Sequence, residues 1–118
     1  MIVSWVKCNP NNWCNLDLLN LDSVSDVTGV YLIWHGQHNY FPPRWVRVGQ
    51  GDIGDRLSQH RNDPQVATYR PLGGLYVTWA EVSHDLLDGV EAYLGECCKP
   101  LVGTRFPDCG LIAVNLPQ

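Results

Sequence analysis

Residues 27–61 read VTGVYLIWH (27–35), GQHNYFPP (36–43) and RWVRVGQGDIGDRLSQHR (44–61), and the order of these three pieces decides the fold. In the first piece Val30, Leu32 and Trp34 alternate with Tyr31, Ile33 and His35. In the last, Trp45, Val46 and Val48 surround Arg47, so both runs have the β-branched and aromatic content of strands. Gly49 and Gly51 bracket the exit from the second strand. Asp52 then caps a helix on which Arg56 and His60 lie four apart, beside the apolar pair Ile53 and Leu57. A β-hairpin feeding a helix is therefore expected, and it gathers Tyr31, Arg47, Arg56 and His60 near one end of a small sheet.

Working outward, Pro42 and Pro43 lack a donor for the ladder and bound the second strand, so residues 36–43 form a long hairpin loop. Asn62-Asp63-Pro64 ends the helix. Pro71-Leu72-Gly73-Gly74 then introduces a third strand near 75–80, and Ser83 caps a second long helix near 84–98, stopped by Pro100. On that helix Leu86, Val90, Leu94 and Cys97 make one apolar ridge, while the series 87, 91, 94, 98 places Glu91 within the apolar face. Burying an unpaired carboxylate is expensive, so Glu91 is expected either at the rim with an Arg partner or bound to a cation.

The order G-V-Y (29–31), then R-V-G-Q-G (47–51), then D-I-G-D-R-L-S-Q-H (52–60) resembles the GIY-YIG nuclease family. Tyr31 stands at the first-motif Tyr, Gly49 at the second-motif Gly and Arg56 at the helical Arg, with His60 one turn on. The second-motif Tyr is replaced by Arg47. The Asn that follows the Pro in many members has no counterpart between Pro100 and Asn115. The resemblance covers residues 29–100 and implies an α+β domain, a central antiparallel sheet flanked by helices. It further implies a divalent-metal-dependent endonuclease: Glu91 holding Mg2+ or Mn2+, Arg56 contacting the scissile phosphate, and Tyr31 accepting the proton of the attacking water. For Tyr31 that role needs a phenol whose pKa is lowered by nearby positive charge. His60 assists or holds phosphate, and Arg47 either lowers the Tyr31 pKa or grips phosphate itself. The implied partner is nucleic acid, with DNA favoured over RNA, and so small a domain leaves room for a protein partner or homodimer. A module of this kind that binds nucleic acid or protein without cutting is the alternative.

The bulk properties set limits on these expectations. The 118 residues carry a net charge of -4, which argues against a broadly basic nucleic-acid surface, yet Arg44, Arg47, Arg56, Arg61 and Arg70 cluster between residues 44 and 70. They read either as a local positive patch or as ordinary surface charge. The chain is expected to be one domain, with residues 1–28 as an extension and 101–118 as a tail. Residues 2–6 and 111–114 read as strands that pair with one another, and 13–21 reads as either a short helix or an irregular packed segment. The apolar start is too short, and broken by Lys7, for a secretion signal, and no membrane-spanning run is present. Five cysteines, an odd number, are read as free thiols in a reducing cytoplasm, with zinc binding and a thiol enzyme as lesser readings.

Overall fold

A computed structural model describes residues 1–117 and shows an α+β fold. Its elements are β1 (Cys14–Asn15), β2 (Thr28–His35), β3 (Trp45–Asp52), α1 (Ile53–Arg61), α2 (Pro64–Ala67), β4 (Leu75–Glu81) and α3 (Leu87–Cys98), with 3-10 turns at Leu21–Val24 and His84–Leu86. The four strands form one antiparallel sheet in the order β1-β4-β2-β3. The expected β2–β3 hairpin forms, and β2 also pairs with β4, which makes it central. It is covered on both faces, which is why residues 30–34 are almost continuously apolar.

The alternation along β2 sorts the core into two layers. Tyr31 and Ile33 pack with Val46, Ile53, Leu57 and Val66, so α1 and α2 cover one face. Val30 and Leu32 pack with Val48, Val90 and Leu94, so α3 covers the other. Burial of these aliphatic side chains stabilises each layer by roughly 1.5–3 kcal/mol per side chain before chain entropy is counted. At the Trp45 end of β3 a bulge breaks the register: Ile33 pairs with Arg47, but Trp34 pairs with Trp45. Two residues that would normally share a face are thereby sent to opposite faces. Arg47 goes with Tyr31 and Ile33, Trp45 with Leu32 and Trp34.

Several expectations are corrected. Gly49 and Gly51 do not end β3; they lie inside it, opposite Tyr31 and Gly29, and the ladder runs on to Asp52. After α1, Asp63 caps the extra turn α2 by accepting from the Gln65 amide. Residues 2–6 and 111–114 form no strands. The two segments are instead tied by Asn115, whose side chain accepts from the Val3 amide (2.7 Å) and donates to the Val3 carbonyl (3.0 Å), replacing the ladder a partner strand would supply. Residues 13–21 resolve into β1 followed by turns. Cys8 and Cys14 are joined in a disulfide, with Cα atoms 4.9 Å apart, whereas Cys97, Cys98 and Cys109 are free. Five free thiols was thus wrong for two of them, and the cysteines no longer argue for a reducing compartment. Among the described residues no helix is long and apolar enough to cross a membrane.

Candidate functional site

Tyr31 is fully buried, and its hydroxyl meets His60 Nε2 at 2.5 Å. The contact exists because α1 lays Ile53 and Leu57 onto the sheet, which turns His60, one helical turn beyond Arg56, toward β2. It also needs the strand partner of Tyr31 to be a glycine. A Cβ on Gly49 would run into the Tyr31 hydroxyl and come within 2.9 Å of its ring carbon Cε1. Two residue pairs further on, Gly51 has φ +127°, which residues with a side chain rarely adopt, and the Arg56 stem lies over its Cα. Arg47, opposite Ile33 and so on the Tyr31 face, lies with its guanidinium against the backbone of Gly103. The chain after α3 reaches that spot by pairing with the edge of β3: the Leu101 and Val102 amides donate to the Trp45 and Val46 carbonyls.

Burial pushes the Tyr31 phenol above its ordinary pKa, and it outweighs the opposing pull of the Arg56 and Arg47 charges. The lowered value expected for a base is therefore not what the resting site has. Burial, reinforced by Arg47 and Arg56 and opposed by Asp63, drives His60 down to about 4. His60 is accordingly neutral at physiological pH. Both guanidiniums lie near the phenol, but only His60 meets hydrogen-bond geometry with it. Guanidinium groups cannot accept a proton, so the Tyr31 hydroxyl donates to Nε2 and the imidazole proton sits on Nδ1.

Among the described residues, three buried side-chain polar atoms have no hydrogen-bond partner: Arg47 Nε, Arg56 Nε and His60 Nδ1. All three belong to the groups around the Tyr31 hydroxyl. Each such atom costs about 1–3 kcal/mol, so three donors left bare in one place call for an acceptor from outside the chain.

Glu91 reaches this centre from the other face of the sheet. It lies on α3, and its carboxylate is near Gln50 Nε2 (3.5 Å), which donates more closely to Asp88 (2.7 Å). Burial raises the Glu91 pKa and Asp88 adds to the rise, while Gln50, Arg47 and Arg56 oppose it. The expected Arg partner is not formed: among the described residues the one side-chain ion pair is Arg70 with Asp17. The cationic groups on one face and the carboxylates on the other therefore feel each other across the glycine-containing edge strand, without touching.

No family model, curated protein or solved structure matches this chain. The site must be read from its own geometry. Tyr31, Arg47, Arg56 and His60 come together, but Glu91, expected in the same concavity, lies on α3 across β3 from them. Gln50 and Asp88 went unnoticed in the sequence, although Asp88 lies three residues before Glu91 and so shares its helix face, a spacing that marks neighbours. Gly103 had no local signal; it is brought in by the path of the chain beyond α3.

Proposed function

We propose that the chain is a divalent-metal-dependent phosphodiesterase that cuts nucleic acid, with Tyr31 and His60 moving the proton and Arg47 and Arg56 gripping the phosphate. The observation that carries this reading is the unpartnered buried Nε atoms of Arg47 and Arg56, whose charges act on the Tyr31–His60 pair. A phosphate is an acceptor with several oxygens, and two guanidiniums hold it by charge and by directed N–H groups. Such donors also stabilise the charge that builds on the phosphoryl oxygens as a nucleophile attacks.

The proton has a defined route. A water placed against Tyr31 Oη gives its proton to that oxygen while the phenol proton passes to His60 Nε2, so no free phenolate is needed. The resting imidazole is a weak base because Arg47 and Arg56 add to its burial. A bound phosphate offsets those two charges, so the substrate itself makes His60 a better proton acceptor. Glu91 and Asp88 offer carboxylate oxygens beside Gln50, a donor set that suits a hard cation keeping most of its waters. Mg2+ or Mn2+ held there would lie across β3 from the two guanidiniums and would supply charge stabilisation only to a phosphate that reaches over the edge of that strand.

A second reading, a module that binds nucleic acid without cutting, is favoured by the raised Tyr31 pKa, which keeps the phenol protonated at neutral pH. Duplex, branched and single-stranded DNA and RNA incubated with Mg2+, Mn2+ or chelator separate the two. Metal-dependent cleavage that falls about 10²–10³-fold in Arg56→Ala, and is lost in Glu91→Ala, supports the enzyme. Binding without cleavage on every substrate, unchanged in Glu91→Ala, supports the module.

A further inference from the structure

The register bulge just before Arg47 sends Trp45 to the face opposite Tyr31, where it joins Trp34 and Tyr76 in a row across three strands. Trp34 is the centre of this group. Trp13 and Trp45 stand nearly perpendicular to it, at 5.7 Å and 87° and at 5.7 Å and 77°, and Tyr76 lies almost parallel, at 6.1 Å and 22°. All four rings are only half-buried. Two open clefts flank the Trp13–Trp34 partition. One, of about 280 Å³, is lined by Trp13, Trp34, Pro43, Arg44, Trp45 and Pro117. The other, of about 440 Å³, is lined by Trp34, Tyr76, Trp13 and the amides of Asn11, Asn12 and Asn15.

Perpendicular tryptophans of this kind can enclose a quaternary ammonium, but the charges here oppose a cation. Arg44 lines the first cleft, Lys7 Nζ sits 4.6 Å from the centre of the Trp13 ring, and neither cleft has an acidic residue in its wall. Flat aromatic walls, side-chain amides and flanking cations match a ligand of planar polar rings on an anionic backbone. We infer that this surface binds a single-stranded segment of nucleic acid, with one base in each cleft on either side of the Trp13–Trp34 partition and Lys7 facing its phosphates, while Arg44, whose Nε donates to His35 Nε2 (3.0 Å), adds positive charge beside the first cleft. Bases paired in a duplex keep their faces stacked on one another and cannot enter. The inference deepens the proposed function, on which it rests, by making an unpaired strand the preferred polymer.

The test is titration of a fluorescein-labelled oligothymidylate of about 12 nucleotides, within the site sizes of single-strand binders, in chelator so that nothing is cut. Trp13→Ala is expected to weaken binding roughly 5- to 100-fold, and Trp13→Phe to restore most of it, since a benzene ring still stacks. A blunt duplex of the same length should bind no better than the oligonucleotide does to Trp13→Ala. Equal affinity of wild type and Trp13→Ala for the oligonucleotide overturns the inference. So does tryptophan quenching by a trimethyl-lysine or proline-rich peptide with none by the oligonucleotide. Trp13-dependent binding that persists in Arg56→Ala, in a protein that cleaves nothing with Mg2+, would remove the catalytic reading and leave this one standing.

Discussion

Tyr31 and Gly49 face each other across the β2–β3 ladder, and the phenol of the first occupies the space where the second would carry a Cβ. The glycine thus determines where the hydroxyl lies, and with it the contact with His60. Gly49→Ala is expected to push the ring away and to destabilise the fold by about 1–3 kcal/mol, the usual result of overpacking a core. Because the nearest clash is with the hydroxyl, Tyr31→Phe should relieve part of that loss. Urea unfolding of the two single variants and the double variant measures this coupling; strict additivity would show that the phenol and the glycine do not constrain each other.

Stability should depend on pH through His60. Its pKa is about 4 in the fold, against 6.5 for the free side chain, so as the pH falls the unfolded chain takes up this proton first. The contribution of the neutral imidazole is complete above about pH 6.5 and is lost as the pH falls toward 4, a change on the order of 3 kcal/mol. His60→Asn should show a flatter profile over this window, because the group that titrates is gone. Parallel profiles for the two proteins would contradict the assignment.

Anion binding should raise the His60 pKa. Inorganic phosphate set between Arg47 and Arg56 screens two of the charges that keep the imidazole low. Following the His60 ring signals by NMR over a pH series, with and without phosphate, reads this directly. The upward movement should be much smaller in Arg56→Ala, while an unchanged His60 titration at saturating phosphate would leave the proton route without its trigger.

Glu91→Gln should separate stability from function. The raised pKa of this half-buried carboxylate means that its charged form costs the fold, and that the cost grows as pH rises through its folded pKa. A neutral amide of the same shape removes the cost, so the melting temperature at pH 7 should increase while metal-dependent cleavage falls. A lower melting temperature would mean that Glu91 acts chiefly as an acceptor for Gln50.

Reduction of the Cys8–Cys14 bridge should lower stability by about 2 kcal/mol, the chain-entropy value for so short a loop, since the two cysteines are six residues apart. The bridge flanks Trp13, so reduction should also perturb the Trp13–Trp34 pair, which near-ultraviolet circular dichroism reports. A spectrum insensitive to reductant would show that β1 holds Trp13 without the bond.

The hairpin, the helix after it, the third strand and the last helix were legible in the sequence, because apolar period, proline and glycine positions and the capping Asp52 act locally. The grouping of Tyr31 with Arg56 and His60 was legible for the same reason: one strand position and one helix face fix it. The face that Arg47 occupies follows from the same regular ladder, but that of Trp45 was not legible, since it depends on a bulge in the pairing of β3 with β2. Nor was the place of Glu91, which the helical period put on an apolar ridge but which only the packing of α3 on the opposite face could set across the edge of β3 from the guanidiniums. The Cys8–Cys14 bond, the clasp of Asn115 on Val3 and the bare nitrogens of Arg47, Arg56 and His60 depend on how distant segments meet. The sequence by itself therefore determined the elements and the chemical types present at the site. The tertiary structure decided which face each side chain serves and which donors are left without a partner, because burial and pairing are properties of the packed chain.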